Sequence, residues 1–361
     1  MPRIHYFQNN KIGMFDLNML LRDNIKNLVP YSSARDEFQG QASIFLDANE
    51  NSLGSPLTKW YNRYPDPLQR KIKEKLELIK GVPASQIFIG NGSDECIDIL
   101  IRSVCEPGID NILICPPTYG MYQVSADINN IAVQKAPLTP DFQLNLPAID
   151  AAINDHTKII FLCSPNNPTG NSLLKEDIEA ILNNYFGLVV LDEAYINFSR
   201  SRSFIQELNE YPNLVVMQTL SKAWGLAALR IGMAFASEEI ISVLNKVKPP
   251  YNINQASQEL AVKALEEVEQ VNDMIREIVA QRNLLEDHLR DLPQVIHIYP
   301  SDANFLFVKV TNPKDIYNYM LTKGIVVRDR SKVELCEGCL RITVGSPAEN
   351  EQLLAALKKY K

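Results

Sequence analysis

Long apolar runs are missing from this chain: stretches such as Ile159-Ile-Phe-Leu-Cys163 stop far short of the roughly 20 residues a bilayer-spanning helix needs. The opening residues, MPRIHYFQNNKIG, lack the apolar core of a secretory signal, so the expected location is the cytoplasm. Positive charge is also scarce. Thirty-six lysines and arginines stand against 43 acids, a net charge of −7, and such a surface attracts neither nucleic acid nor an anionic membrane. Any anionic ligand must then be held by a local cluster of cations. No phosphate-loop Gly-Lys-Ser/Thr pattern occurs, and Gly90-Asn-Gly92-Ser-Asp-Glu95 carries an acid where a dinucleotide fingerprint has its third glycine. Metal signatures fail as well. Cys336-Glu-Gly-Cys339 has zinc-like spacing, but no second cysteine pair or His-x3-5-His answers it, so no metal is expected and the pair is read as a turn between two strands. Cys96, Cys105, Cys115 and Cys163 sit in apolar runs as small buried hydrophobes do.

What the chain does have is a repeated alternation. Gln86–Gly90, Asn111–Cys115, Lys158–Cys163, Gly187–Leu191 and Leu214–Met217 are apolar throughout rather than every second residue, as strands buried on both faces are, and helical patterns separate most of them. The expected architecture is α/β: a large domain with a mostly parallel sheet flanked by helices, and a smaller α+β domain. Residues 304–310, 324–329 and 339–344 should supply strands of the second layer, with helices near 315–323 and 348–359. The helical stretch from Gln255 to Leu292 should connect the two. The expected divisions are an N-terminal extension and arm over 1–45, a large domain over 46–250 and a small one over 251–361. Residues 1–13 show no periodicity and are expected to be poorly ordered and dispensable. Ile44-Phe-Leu-Asp47 reads as a short strand entering a polar loop.

Each strand-like run of the large domain ends in distinctive polar groups. Ser93 and Asp94 follow the first, Tyr119 the second, Asn167 the third, Asp192 and Tyr195 the fourth, and Ser221, Lys222 and Arg230 the fifth. In open parallel sheets, ligands occupy the crevice outside the carboxyl ends of the strands, so these groups should converge. Singly, each has a plainer role: Lys222 as a turn lysine, Asp192 as a helix cap, Asn167 as a turn former, Tyr119 as a core aromatic. Together they offer a desolvated lysine able to act as a nucleophile, a carboxylate, an aromatic face and phenol and amide groups. Beside these lies a phosphate cradle of helix N-terminus, hydroxyl and guanidinium. Those are the needs of pyridoxal phosphate.

The segments Ser164-Pro-Asn-Asn-Pro-Thr-Gly170, Asp192-Glu-Ala-Tyr195 and Ser221-Lys222 with Arg230 resemble the signature of the pyridoxal-phosphate aminotransferases of the aspartate aminotransferase fold, or fold type I. Leu46-Asp-Ala-Asn-Glu-Asn51, Asn62-Arg-Tyr-Pro65, Cys115–Tyr122 and Cys339–Gly345 are similar to their histidinol-phosphate aminotransferase subfamily, from about Leu17 to the C-terminus. Asp47 departs from the asparagine common there.

The resemblance implies roles by motif position. Lys222 would bond the cofactor aldehyde and then shuttle a proton, and Asp192 would pair with the ring N–H. Asn167 and Tyr195 would bind the phenolic oxygen, and Tyr119 would stack on the ring. Ser93, Asp94, Ser221 and Arg230 would hold the cofactor phosphate, joined by Tyr64 from the partner of a homodimer. Substrate binding falls to Tyr31, Asn49, Arg328 and Arg341. The implied reaction is transamination of L-histidinol phosphate with 2-oxoglutarate, giving imidazole acetol phosphate and glutamate. Threonine-phosphate decarboxylase and aromatic aminotransferases of the same fold are the rival readings, and an aminotransferase-like ligand sensor is a third. For the two arginines a plainer role is open: strand-edge residues paired with acids such as Asp329.

Overall fold

Strands β1 (Ile87–Asn91), β2 (Asn111–Ile114), β3 (Ala132–Lys135), β4 (Thr157–Cys163), β5 (Leu188–Asp192), β6 (Leu214–Thr219) and β7 (Ile231–Phe235) form one sheet in the order β1-β7-β6-β5-β4-β2-β3. The computed structural model describes residues 15–31, 44–57, 59 and 61–360, so the expectation for residues 1–13 lies outside them. The ladders among β6, β5, β4, β2 and β3 are parallel, whereas β7 runs antiparallel to both β6 and β1. Why the central strands are apolar throughout is visible in their two faces. Ile160, Leu162, Val189, Leu191, Leu214 and Val216 enter one core, and Ile159, Phe161, Leu188, Val190, Val215 and Met217 enter another. A strand with a core on each side has no polar face to show.

The mostly parallel sheet is as expected, but two of its strands escaped the sequence pattern. Edge strand β3, Ala-Val-Gln-Lys, is only half-buried to exposed and carries no apolar run. Strand β7 (Ile-Gly-Met-Ala-Phe) starts directly after Arg230 and returns beside β6, in a stretch to which sequence reasoning gave no element. Ile44–Leu46 is not a strand. It is irregular, with Ile44 73% and Leu46 85% exposed, and it joins no ladder among the described residues.

A second sheet, antiparallel throughout, has the order β10-β11-β9-β8, from β8 (Val295–Tyr299), β9 (Phe305–Val310), β10 (Arg328–Asp329) and β11 (Cys339–Thr343). Strand β9 alternates between cores: Phe305 and Phe307 pack with the main sheet's cluster, while Leu306 and Val308 pack with the cluster under the small sheet. Helix α1 (Ser93–Val104) follows β1 and α2 (Met121–Ile128) follows β2. As expected, residues 255–292 are mostly helical: α3 (Gln255–Ala264) precedes α4 (Val268–Arg290), whose Val271 joins the main core and whose Leu285 and Leu289 join the small-sheet core. Cys336 and Cys339 are free, buried thiols at a turn into β11, and no metal-holding group of acids, cysteines and histidines exists among the described residues. Nor is any described helix long and apolar enough to cross a membrane.

Candidate active site

The carboxyl ends of β1, β2, β4, β5 and β6 face the small sheet across a cavity of about 610 Å³. Its lining includes Ser93, Asp94, Tyr119, Asn167, Asp192, Tyr195, Ser221, Lys222 and Arg230 from the main sheet's connections, with Arg328 and Arg341 from β10 and β11. Eleven residues predicted from sequence therefore meet in one place. Tyr31, Asn49 and Tyr64 do not line it. Tyr31 is exposed, while Asn49 and Tyr64 line a separate hollow with Tyr61, Asn62 and Arg63, where Tyr64 stacks on Tyr251 at 4.5 Å.

Asp192, the last residue of β5, is buried, and both its oxygens are engaged. The Tyr122 hydroxyl donates to Oδ2 at 2.7 Å and the Ala194 N–H to Oδ1 at 3.0 Å. Burial pushes its proton affinity up, with Asp94 adding to the effect. The Tyr122 and Ala194 hydrogen bonds and the charge of Lys222 oppose it. Tyr122 is itself fully buried, stacked on Phe161 at 4.7 Å and met edge-on by Tyr119 at 5.6 Å. Sequence reasoning passed over Tyr122. Its only signal is a position one helical turn after Tyr119, which places both rings over the same strand ends.

Lys222 sits just past β6, its Nζ 5.6 Å from the centroid of the Tyr195 ring. Desolvation, then Arg341 and to a lesser degree Arg230, hold its pKa below the usual 10.5, against Asp192 and Asp94, which raise it. A depressed pKa means more free amine near neutrality. In trace acetylation of the ligand-free protein near neutral pH, Lys222 should therefore be modified ahead of Lys175, whose hydrogen bonds to Glu207 and Glu179 raise its pKa. Peptide mass analysis reads the order, and equal labelling would contradict a lysine primed for nucleophilic attack.

The phosphate cradle is built by close backbone approach. Gly92, at φ 79°, precedes α1, and its N–H donates to the Arg230 carbonyl at 2.9 Å. A Cβ at Gly92 would fall 2.4 Å from Arg230 Nη2, and one at Gly232 would fall 2.2 Å from the Ser93 nitrogen. Glycine at both positions lets the α1 N-terminus, Ser221 and the Arg230 guanidinium converge, a donor set suited to a phosphate. Arg230 itself adopts left-handed backbone, φ 54°. The Asp94 carboxylate accepts from the Tyr119 hydroxyl at 3.0 Å and lies 3.5 Å from Arg230 Nη2, so it orients those two groups. A phosphate there would meet its backbone N–H, not its side chain.

Across the cavity, Asn167 joins the two sheets. Its Oδ1 accepts from Arg341 Nη1 at 2.5 Å, and its Nδ2 faces the Tyr195 hydroxyl at 3.4 Å. The Tyr195 ring is edge-on to Phe305 at 5.2 Å, and the Arg341 guanidinium lies 5.3 Å from that same phenyl ring. Arg330 also lines the cavity and was missed. Its one sequence signal is alternate spacing with Arg328 on a strand. A lysine of lowered pKa, a buried carboxylate, paired amide and phenol groups and a glycine-shaped anion cradle together fit pyridoxal phosphate, each in the place its aldehyde, ring nitrogen, phenolic oxygen and phosphate would need.

Comparison with known proteins agrees. Residues 46–357 match the family described as aminotransferase class I and II. The chain is 56% identical over 346 residues to a histidinol-phosphate aminotransferase of Cytophaga hutchinsonii, covering 96% of this chain and 99% of that one. It is 55% identical over 348 residues to a protein of the same name from Parabacteroides distasonis, covering 96% and 100%. Its fold is shared with the histidinol-phosphate aminotransferase of Sinorhizobium meliloti solved in complex with pyridoxal-5'-phosphate, at a TM-score of 0.76 and 24% identity over 82% of each chain.

Proposed function

This chain belongs to the class I and II aminotransferases, and from that premise we propose that it transfers the amino group of L-histidinol phosphate to 2-oxoglutarate, a step of histidine biosynthesis that yields imidazole acetol phosphate and glutamate. It is a pyridoxal-phosphate-dependent transaminase. When bound, the cofactor supplies an aldehyde for an amine and a ring that accepts electrons. The residues do the rest. Lys222 Nζ would be the amine that holds the cofactor and, as a free base, would take the proton from the substrate carbon that bears the amino group. The Asp192 carboxylate, held by Tyr122 and Ala194, would pair with the ring nitrogen and favour its protonated form. Asn167 and Tyr195 would hold the phenolic oxygen, Tyr119 would cover the ring, and Ser93, Ser221 and Arg230 would hold the cofactor phosphate.

The choice of substrate rests on charge. Five basic side chains, Lys222, Arg230, Arg328, Arg330 and Arg341, line the cavity against two acids, Asp94 and Asp192. With Arg230 assigned to the cofactor and Lys222 to chemistry, three guanidiniums remain for the substrate. That surplus suits a phosphate ester better than a neutral or zwitterionic amine, and Arg328 and Arg341 would take glutamate's carboxylates in the other half-reaction.

The reading includes a cytoplasmic homodimer divided into an arm over 1–45, a large domain over 46–250 and a small domain over 251–361. Exposed Leu57 and Tyr64, which line the separate hollow, support such an interface. Tyr64, Asn49 and Tyr31, outside this chain's own cavity, would then serve the partner's. Incubating the purified holoenzyme with histidinol phosphate and 2-oxoglutarate should form glutamate. Carbon dioxide release from threonine phosphate, with no glutamate formed from histidinol phosphate, would instead make it a decarboxylase.

A further inference from the structure

We infer that Arg330 is a third phosphate-binding guanidinium in the cavity and the residue that sets the preference for a phosphorylated amine over a carboxylate substrate. The inference builds on the transaminase reading and adds a residue that no motif resemblance assigned.

Strand register puts the three arginines on one face. Arg328 pairs with Arg341 and Asp329 with Leu340, and the Arg330 N–H donates to the Cys339 carbonyl at 3.0 Å, which carries the pairing one residue further. Alternation then turns Arg328 and Arg330 to the same side, and Arg341 opposite Arg328 shares it. The other side belongs to Leu340, buried in the small-sheet core. Like charges directly opposed across a ladder are destabilising, so such a pair ordinarily has an acid nearby. Among the described residues none of the three guanidiniums has a carboxylate partner within ion-pairing distance. Asp329, the nearest in sequence, accepts instead from the backbone N–H and hydroxyl of Ser331. The Nε atoms of Arg330 and Arg341 are also buried with no acceptor. Unneutralised charge and unused donors on one wall of the cavity require an anion as their complement.

The number of arginines identifies which anion. A carboxylate has two oxygens, which two guanidiniums can saturate. A phosphate monoester concentrates three terminal oxygens and up to two negative charges on one group, so a third guanidinium gains more from it than from a single carboxylate already held by two. Losing Arg330 should therefore weaken the phosphate ester far more than glutamate.

The test uses the holoenzyme carrying Arg330→Gln or, to keep the charge and lose the fork, Arg330→Lys. For Arg330→Gln, KM for histidinol phosphate should rise about 10- to 100-fold, the loss of one charge-assisted hydrogen-bonding group, with kcat nearly unchanged. KM for glutamate in the reverse direction should move by no more than about 3-fold, and Arg330→Lys should fall between wild type and Arg330→Gln. Calorimetric titration of inorganic phosphate into the holoenzyme should weaken in parallel, with cofactor content and thermal unfolding unchanged. Equal effects on both substrates, or no effect on either histidinol phosphate or inorganic phosphate binding, would overturn the assignment. Failure of wild type to turn over histidinol phosphate would sink the substrate reading alone, since phosphate titration still tests Arg330.

Discussion

Replacing Lys222 with alanine is expected to lower transamination by at least about 10⁴-fold, because in the proposed mechanism one side chain supplies both the nucleophile and the proton carrier. The folded state should survive. Lys222 makes no ion pair among the described residues, and removing a desolvated cation from beside Arg341 and Arg230 relieves repulsion. Lys222→Arg should be as inactive, since a guanidinium keeps the charge and cannot act as a nucleophile near neutrality. A small primary amine added to Lys222→Ala should restore part of the proton transfer. Borohydride treatment of the pyridoxal-phosphate-loaded protein, followed by mass analysis, should show cofactor fixed to residue 222 in wild type and not in either variant. Retained activity in Lys222→Ala would remove the basis of the proposed mechanism.

The second large effect divides function from stability. Asp192→Asn should reduce kcat about 10²- to 10³-fold, the usual consequence of deleting one preorganised charge at a reacting centre. The same variant without cofactor should be more stable than wild type at neutral pH. Burial raises the Asp192 pKa above its ordinary 3.8, so the folded protein holds this proton more tightly than the unfolded chain. Stability from this group is then complete at low pH and declines as pH rises through the raised value. Nearby Asp94 deepens that decline and Lys222 moderates it. Asparagine has no such titration, while its amide can still accept from Ala194 and meet the Tyr122 hydroxyl. Chemical denaturation of the two cofactor-free proteins should give curves that separate as pH rises, and parallel curves would contradict a carboxylate retained at a cost to stability.

How much of this was legible in sequence depended on burial. Strands β4, β5 and β6 stand out because both their faces are covered, so no polar residue interrupts them. Asp192 and Lys222 stand out for the complementary reason, as charges placed where such runs end. Edge strand β3 and half-exposed β8 have no comparable signal, and Ile44–Leu46 shows the converse error: apolar residues that form no strand among the described residues. Nine of the eleven cavity residues could be gathered from sequence because strand ends converge by topology, whereas Arg328 and Arg341 came from the resemblance. Tyr122 could not, because its role depends on a 2.7 Å hydrogen bond between residues 70 positions apart. Arg330 needed the β10–β11 register before its direction was known. Tyr31, Asn49 and Tyr64 entered through resemblance alone, and a single chain places them away from its own cavity.

The amide of Asn167 answers to both ends of the reaction space. One of its atoms is held by a guanidinium from the small sheet, the other turned to a phenol on the main sheet. An incoming anion that draws Arg341 toward itself must loosen the first of these contacts, freeing the amide to lean toward Tyr195. In the proposed mechanism, arrival of the substrate's far end would thereby be passed, through a single planar group, to the Tyr195 hydroxyl.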